Sequence, residues 1–279
     1  MKKVILKNKF DQFRKYSPLA VKRGLISLKL LKGKNLLTKF VIIGAPRTGS
    51  NLLMSLLNSH PNCLCYGEIF TNLKVGSWDI PFSLRKFGDL SYKKNDPIDY
   101  LENRIYSGYP KEIKSAGFKL FYHHARKDNE KVVWNYLKDE RSIKKIHLIR
   151  DNFLEIYLSH ISAKKSGQFV NTWNTSKNLQ RIKVDPVECE NYFKNLNENI
   201  NSVREYFASE ELMEIRYEEL VNQRLTVLDD LLASLNLDSM KLIPKTFKQN
   251  FVAAEKRISN FNEVKKYFSG TKWESFFNA

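Results

Sequence analysis

Residues 39–53, KFVIIGAPRTGSNLL, constrain the fold of this chain more than any other segment. The apolar, β-branched run over residues 39–43 predicts a buried strand, and the glycines at positions 44 and 49 mark a tight loop. Residues 50–59 then predict a helix that ends before Pro61. A strand that passes through a glycine loop into a helix is the building unit of parallel α/β sheets.

The loop has the G-x-x-x-x-G frame of a phosphate-binding loop. Glycines let the backbone approach an anion closely, and free N–H groups at the start of the next helix attract phosphate. The Lys and Ser/Thr that follow the second glycine in nucleoside-triphosphate loops are replaced by Ser50 and Asn51, while Arg47 lies inside the loop. The pattern predicts a site for a phosphate or sulfate that is not part of a Mg–triphosphate. Its predicted ligands are Pro46, Arg47, Thr48, Gly49, Ser50 and Asn51.

A second predicted anion anchor follows the strand predicted over residues 145–149. Arg150 comes directly after that strand, and Ser159 lies nine positions later (159 − 150) in the next predicted helix. An Arg at a strand end and a Ser about two and a half turns into the next helix can meet at the carboxyl edge of the sheet. Open α/β sheets bind their ligands at that edge.

Predicted strands and helices alternate along the rest of the chain. Further strands are predicted over residues 63–66, 116–122 and 212–216, and further helices over residues 96–107, 185–207 and 227–232. The helix over residues 185–207 carries an apolar stripe that predicts a buried face, formed by Phe193, Leu196, Ile200, Val203 and Phe207. Residues 245–279 are less regular. These patterns predict an α/β fold that is P-loop-like, with a central parallel sheet flanked by helices in three layers.

The basic charge of the chain is concentrated at its N-terminus. Of a formal net charge of +17, residues 1–40 contribute +11, from twelve Lys or Arg and one acid, Asp11 (12 − 1). Residues 17–33 predict a basic amphipathic helix that begins at Ser17-Pro18 and ends at Gly33. That helix either attaches peripherally to an anionic membrane surface or to a partner, or packs on the body of the protein. We therefore divide the chain into a basic segment, residues 1–36, and one domain, residues 37–279.

Several classes of protein are disfavoured by composition. No module typical of nucleic-acid binding accompanies the basic charge, and we expect no nucleic-acid partner. No run approaches the roughly 20 apolar residues of a membrane span, and the N-terminus lacks a signal-peptide pattern, which predicts a cytoplasmic protein, membrane-associated if residues 1–36 bind lipid. Cys63, Cys65 and Cys189 lack metal-ligand spacing and are expected to be reduced core residues. The oligomeric state has no signal in the sequence.

The loop and its surroundings resemble a known enzyme family. Residues 45–53, APRTGSNLL, followed by LNSHP at residues 57–61, resemble the 5′-phosphosulfate loop of bacterial carbohydrate sulfotransferases, especially the nodulation-factor and trehalose group. The pair Arg150 and Ser159 resembles the 3′-phosphate site of that family. Residues 116–124, AGFKLFYHH, and 258–261, ISNF, are also similar to it.

The resemblance implies a donor, a reaction and an acceptor class. The donor would be 3′-phosphoadenosine 5′-phosphosulfate (PAPS), the acceptor a hydroxyl on a carbohydrate or glycolipid, and no metal would be required. The basic tail offers Lys248, together with Lys256 and Arg257, as further ligands of the 3′-phosphate.

Sulfuryl transfer needs stabilisation of the developing charge and a base for the hydroxyl proton. We predict that Arg47 and the loop amides stabilise the charge. Glu68 is the predicted base, because it follows the strand over residues 63–66 at the sheet edge and stands where the resembling family has its catalytic Glu. His123 and His124, which leave the strand over residues 116–122 at the same edge, are the competing candidates.

Two other functions remain open at this point. A P-loop kinase or ATPase would use Asp151 to hold Mg²⁺, although the loop Lys is missing. A non-enzymatic protein that binds membranes or polyanions through a P-loop scaffold would use the basic N-terminal segment.

Overall fold

The computed structural model describes residues 17–33, 37–71, 95–166, 181–207, 212–222, 224–244 and 252–278. Within these residues, the strands are β1 (Thr38–Gly44), β2 (Cys63–Glu68), β3 (Ser115–Phe121), β4 (Lys144–Ile149) and β5 (Leu212–Arg216). They form one sheet in the order β2-β3-β1-β4-β5, and every neighbouring pair is parallel. Each strand lies within two residues of its predicted bounds, and the predicted parallel α/β fold is confirmed.

Strand β1 is the centre of the sheet, with β3 on one side and β4 on the other. Its last residue, Gly44, pairs with Phe121 of β3 and Leu148 of β4. A Cβ atom on Gly44 would lie 2.6 Å from the carbonyl oxygen of Leu148, so a side chain there would push β4 away. Glycine at this position lets the central strand enter its loop without opening the sheet.

The α-helices of the described residues cover both faces of the sheet. They are α1 (residues 17–27), α2 (Ser50–Leu57), α3 (Pro97–Tyr100), α4 (Val132–Asp139), α5 (Phe153–Ser166), α6 (Pro186–Tyr206), α7 (Tyr217–Asn222), α8 (Arg224–Ser234), α9 (Ala254–Arg257) and α10 (Phe261–Phe268). Phe40 and Ile42 of β1 pack in a core with leucines of α2 and α8, whereas Val41 and Ile43 pack in a core with residues of α4, α5 and α6. The alternation of side chains along β1 thus separates two apolar layers, as a three-layer fold requires.

Helix α6 confirms its predicted apolar stripe. The five side chains of the stripe, including Phe207 just beyond the helix, are all buried. Asp185 caps this helix by accepting hydrogen bonds from the N–H groups of Val187 and Glu188, and Pro186 occupies its first turn. This pairing of a capping acid with a first-turn proline fixes where the helix begins.

Several segments differ from the sequence prediction. The helix expected over residues 96–107 is α-helical only over Pro97–Tyr100 and continues as a π-helical turn, Leu101–Ile105. Helix α4 was not predicted. The C-terminal segment expected to be irregular contains α9 and α10, and its aromatic residues pack on α5 and α6, with Phe268 5.4 Å and Trp273 5.6 Å from Phe193 between ring centroids.

Helix α1 ends earlier than expected, at residue 27 instead of Gly33. Lys29 takes a left-handed conformation with φ of 61°, and the N–H of Leu30 donates to the carbonyl of Leu25 at 2.9 Å. The N–H of Lys29 donates to the carbonyl of Ile26 at 3.0 Å. These two bonds form a Schellman motif, which closes the helix without the glycine that usually supplies the left-handed residue.

Helix α1 packs on the body of the protein through one buried residue, Arg23. Its guanidinium donates to the hydroxyl of Tyr66 at 2.8 Å and to the carbonyls of Arg104, Ser107 and Gly108 at 2.9–3.3 Å. It also lies 4.3 Å from the ring centroid of Tyr109. Of the two roles that the sequence left open for this helix, packing on the body is therefore present, and membrane contact stays a prediction. None of the described helices is both long and apolar enough to cross a bilayer.

Candidate active site

The carboxyl edge of the sheet collects the predicted site residues. Arg47 follows β1, Glu68 ends β2, His123 follows β3 and Arg150 follows β4. Because the strands are all parallel, these positions lie along one edge of the sheet, as predicted for an α/β ligand site.

The loop between β1 and α2 is held in shape by its own residues. The hydroxyl of Thr48 donates to the carbonyl of Ala45 at 2.8 Å, and Gly49 caps α2 with φ of 92°, a left-handed value that favours glycine. A Cβ on Gly49 would lie 2.4 Å from the ring of Tyr217, the first residue of α7. Among the described residues, no side chain caps α2, so its first-turn N–H groups suit an anion.

Arg47 brings the two predicted anion anchors together. It is strained, with φ of 72° in a residue that is not glycine, and such conformations cluster at functional sites. Its Nε donates to the hydroxyl of Ser159 on α5 at 2.9 Å, and its carbonyl lies 3.4 Å from Nη1 of Arg150. Burial lowers the pKa of the Arg47 guanidinium, and the positive charge of Arg150 lowers it further. Arg47 and Arg150 thus place two positive charges close together at a partly buried point, and a bound anion would offset their mutual repulsion.

A single carboxylate, that of Glu155, holds two arginines at this point. Its Oε2 lies 3.3 Å from Nη2 of Arg150, and its Oε1 accepts from Nη1 of Arg257 at 2.8 Å. The Arg150 guanidinium also lies 4.6 Å from the ring centroid of Tyr217, and its Nε lies 3.9 Å from Oε1 of Glu218, an ion pair that is too long for a hydrogen bond. Within the described part of the chain, Arg150 Nε and Arg257 Nη2 are buried and have no hydrogen-bond partner. Buried donors of this kind call for an acceptor, and both belong to cations, so an anion fits.

Glu68 is joined to the loop by a buried lysine. Lys119 of β3 is 1% exposed, and its Nζ lies 3.3 Å from Oε1 of Glu68 and 2.5 Å from Oδ1 of Asn51. Burial lowers the pKa of Lys119, whereas the Glu68 carboxylate raises it. The Glu68 side chain itself is 37% exposed, so it is both anchored and open to a substrate.

The two histidines differ in their surroundings. His123 is exposed; partial burial of its ring lowers its pKa, and the Glu68 carboxylate raises it. His124 is buried, its Nδ1 accepts from the N–H of Phe121 at 3.2 Å, and its carbonyl accepts from the indole of Trp134 at 2.9 Å. These bonds tie His124 to the end of β3 and favour a structural role, while His123 stays beside Glu68.

Other predicted ligands have mixed outcomes. Pro46, Thr48, Gly49, Ser50 and Asn51 all lie in the loop or the first turn of α2. Lys248 lies outside the described residues. Asp151, the candidate Mg²⁺ ligand of a kinase, forms an ion pair with Arg216. Among the residues that the structure describes, no three His, Cys, Asp or Glu side chains are grouped to hold a metal ion.

Sequence reasoning missed Lys119, Glu155 and Tyr217 as site residues. Lys119 is part of a quoted similarity to the family, and its charge within a buried strand was the signal that could have identified it, because buried lysines need a partner. Glu155 stands five residues after Arg150 on the next helix, but its second partner, Arg257, is 102 residues away in sequence. No sequence pattern around Tyr217 would have identified it as a site residue.

Comparisons with known proteins agree with the resemblance. No protein-family model matches the chain. It is similar to nodulation protein H from Rhizobium tropici, with 26% identity over 247 residues that cover 85% of this chain and 92% of that protein. Nodulation protein H from Rhizobium meliloti (strain 1021) is also 26% identical, over 253 residues, 85% of this chain and 94% of that protein. The predicted similarity to the nodulation-factor group is confirmed by these relatives.

Solved structures with a similar overall path of the chain include two sulfotransferases. One, from Alicyclobacillus acidocaldarius, is 14% identical, with a TM-score of 0.46 over 86% of this chain and 95% of that chain. The other, a sulfotransferase domain from the curacin biosynthetic pathway, is 18% identical, with a TM-score of 0.47 over 88% of this chain and 90% of that chain.

Proposed function

We propose that this protein is a sulfotransferase that moves a sulfuryl group from PAPS to a hydroxyl of a carbohydrate or glycolipid. The observation that carries the proposal is the meeting of Arg47, Ser159 and Arg150 at the sheet edge that also holds Glu68. The sequence similarity to nodulation protein H agrees with the family that the loop resembles.

The residues present fit a donor with anionic groups at two ends. The N–H groups at the start of α2 and the Arg47 guanidinium would hold the 5′-phosphosulfate, and Arg150, Ser159 and Arg257 would hold the 3′-phosphate. The 5′-phosphosulfate and the 3′-phosphate of PAPS are attached to the same ribose, so the residues that bind them must lie near each other. The 2.9 Å contact between Arg47 and Ser159 agrees with that geometry, and Arg150 Nε and Arg257 Nη2, which make no hydrogen bond within the described residues, are suited to phosphate oxygens.

When bound, PAPS supplies an activated sulfuryl group with a phosphate as its leaving group. Glu68 accepts the proton of the acceptor hydroxyl as the new oxygen–sulfur bond forms and the sulfur–oxygen bond to the phosphate breaks. Arg47 and the loop amides stabilise the charge that moves onto the leaving oxygen. Lys119 orients the Glu68 carboxylate against Asn51 in the first turn of α2, directly after the loop, which positions the base relative to the donor site. His123 is the alternative base beside Glu68.

The acceptor class rests on the family resemblance. We expect residues 72–96 and 167–185 to select the acceptor, and most of these residues lie outside the described ranges. The acceptor hydroxyl and its sulfated position are therefore to be found by experiment, with a panel of oligosaccharides, glycolipids and phenols.

The test is incubation of the purified protein with donor labelled in its sulfur and the acceptor panel, followed by mass analysis of the products. We expect label to pass to a carbohydrate acceptor and Glu68→Gln to lower turnover by about two to four orders of magnitude while the affinity for adenosine 3′,5′-bisphosphate is kept. The matched control is Asp238→Asn, because Asp238 is also paired with a lysine, Lys114 at 2.7 Å, but away from the carboxyl edge. Transfer to none of the acceptors, with donor binding absent, would reject the proposal, whereas normal turnover of Glu68→Gln would move the base to His123.

A further inference from the structure

Exposed apolar side chains are concentrated at the end of helix α1. Val21, Leu28, Leu30 and Leu31 are all exposed, with Leu28 and Leu30 at 68% and 72%. Elsewhere in the described residues, the large exposed apolar side chains, such as Leu225 and Ile243, are scattered along the chain. Single exposed apolar residues are common on protein surfaces, whereas exposed apolar residues grouped together are typical of interaction sites. We call Leu28, Leu30 and Leu31 the leucine turn.

The leucine turn is preformed. The Schellman bonds from Leu30 to Leu25 and from Lys29 to Ile26 fix the backbone, and Leu31 N–H also donates to the carbonyl of Leu25, at 3.3 Å. Lys29 adopts the left-handed conformation in which glycine would be less strained. The presence of a lysine at this strained position is explained if its positive charge contributes to binding at the surface formed by the turn.

Helix α1 carries this turn rigidly, because Arg23 fixes the helix to the body. The Arg23 guanidinium is 6% exposed and donates to a tyrosine hydroxyl and three carbonyls. Beside it, Lys22 pairs with Glu112 at 2.5 Å. The exposed leucines therefore belong to a docked helix and project from a fixed base.

The charged residues of α1 and of the leucine turn are all basic, although Lys22 is paired with Glu112 of the body. Residues 17–33 contain three lysines and one arginine and no acid, and Lys29 and Lys32 are exposed beside the leucines. A short apolar group edged by lysines is the composition with which peripheral proteins enter the headgroup region of anionic membranes. A second copy of this chain would bring its own lysines against these, which disfavours self-association through the same surface.

We propose that the leucine turn, with Lys29 and Lys32, docks this protein on the surface of an anionic lipid bilayer. The leucines enter the interface and the lysines approach the lipid phosphates. The proposal is independent of sulfuryl transfer, since none of these residues belongs to the candidate active site. It differs from a purely electrostatic attraction by residues 1–16, because it requires the apolar side chains.

The experiment is co-sedimentation of the full chain with vesicles of phosphatidylglycerol mixed with phosphatidylcholine, and with vesicles of phosphatidylcholine alone. We expect binding to the anionic vesicles only and a loss of about tenfold or more in affinity for the triple variant Leu28→Ser, Leu30→Ser and Leu31→Ser. The matched control is the double variant Leu225→Ser and Ile243→Ser, which removes equally exposed apolar residues elsewhere and should bind as the parent does.

A second variant separates charge from folding. Lys29→Gly keeps the left-handed turn, because glycine adopts it readily, and removes one charge, so binding should fall by about fivefold without loss of thermal stability. Unchanged vesicle binding of the leucine variant, with residues 1–16 intact, would overturn the proposal. So would a dimer of the parent protein in sedimentation velocity that the leucine substitutions convert to a monomer, because the turn would then be a contact between copies.

Discussion

The buried donors at the sheet edge lead to a quantitative prediction about Arg257. Arg257 is 2% exposed, its Nη1 donates to Glu155 at 2.8 Å, and its Nη2 has no hydrogen-bond partner in the described residues. If the 3′-phosphate of the donor is the missing partner, Arg257→Met removes a charge-assisted hydrogen bond of about 1.5–3 kcal/mol. The dissociation constant for adenosine 3′,5′-bisphosphate should then rise by about 10- to 150-fold.

Arg257→Met should destabilise the free protein less than it destabilises the complex with the nucleotide. Glu155 is partly exposed and keeps Arg150 at 3.3 Å when Arg257 is gone, so its charge is not left alone. We expect Arg257→Met to lower the free energy of unfolding by roughly 1–2 kcal/mol, below the cost of breaking a fully buried pair. The variant should therefore fold and remain measurable.

The assay is thermal unfolding with and without nucleotide. At a concentration of about 100 times its dissociation constant, adenosine 3′,5′-bisphosphate should stabilise the parent protein by about 2.7 kcal/mol. For a chain of 279 residues, with an unfolding entropy of about 2.1 cal/mol/K per residue, that corresponds to a rise of roughly 4–5 °C in Tm. At the same concentration the variant should gain only about 0.3–1.4 kcal/mol, from the same relation with the weakened constant. Adenosine 5′-monophosphate, which lacks the 3′-phosphate, should bind both proteins equally.

Arg181→Met is the matched control, because Arg181 is exposed and donates to the carbonyl of Ile258, next to Arg257. It should leave the nucleotide affinity unchanged. Equal stabilisation of the parent protein by the 3′,5′-bisphosphate and the 5′-monophosphate would refute the 3′-phosphate assignment. Stabilisation by ATP with Mg²⁺ but not by the bisphosphate would refute the sulfotransferase proposal in favour of a kinase or ATPase.

Two further predictions concern the loop and the core beside it. Gly49→Ala should lower the free energy of unfolding by more than the roughly 1–2 kcal/mol of left-handed strain, because its Cβ would also lie 2.4 Å from Tyr217. The measurement is urea unfolding, and the control is Gly270→Ala, which has φ of 73° but open space around it and should show the strain alone. Equal losses in the two variants would contradict the Tyr217 contact. Burial lowers the pKa of His147 below its ordinary value of 6.5, against the opposing effect of Glu214. The contribution of His147 to stability is thus full above that value and is lost as the pH falls below it, by at most about 1.4 kcal/mol per pH unit. Urea unfolding between about pH 7 and pH 5 should show this slope in the parent protein and a flatter one in His147→Gln, and equal slopes would contradict it.

The sequence predicted the features that depend on residues close together in the chain. The loop needs Gly44 and Gly49 within six positions of each other, and the apolar runs of the strands are continuous, so single segments reveal both. The end of α1 was mispredicted for the same reason. A glycine is the usual signal for a left-handed residue, and here the residue is Lys29, which carries no such signal.

The pairings between distant segments could not be predicted in this way. Glu155 meets Arg257 only because the C-terminal segment packs its aromatic residues on α5 and α6, and that packing depends on side-chain shape rather than on periodicity. The sequence pattern suggested a parallel sheet but did not specify which strands are neighbours.

The strand order explains why a basic residue is needed at position 119 if Glu68 acts on a group that is held by the loop. The order β2-β3-β1 places β3 between the strand that ends in Glu68 and the strand that enters the loop. Lys119 pairs with Glu68 on one side and with Ile42 of β1 on the other. A carboxylate one strand removed from the loop needs a group on the intervening strand to link them, and a buried apolar residue at position 119 would leave the oxygens of Glu68 and Asn51 without this donor. The lysine is thus the element through which the candidate base on β2 is positioned relative to an anion site on β1.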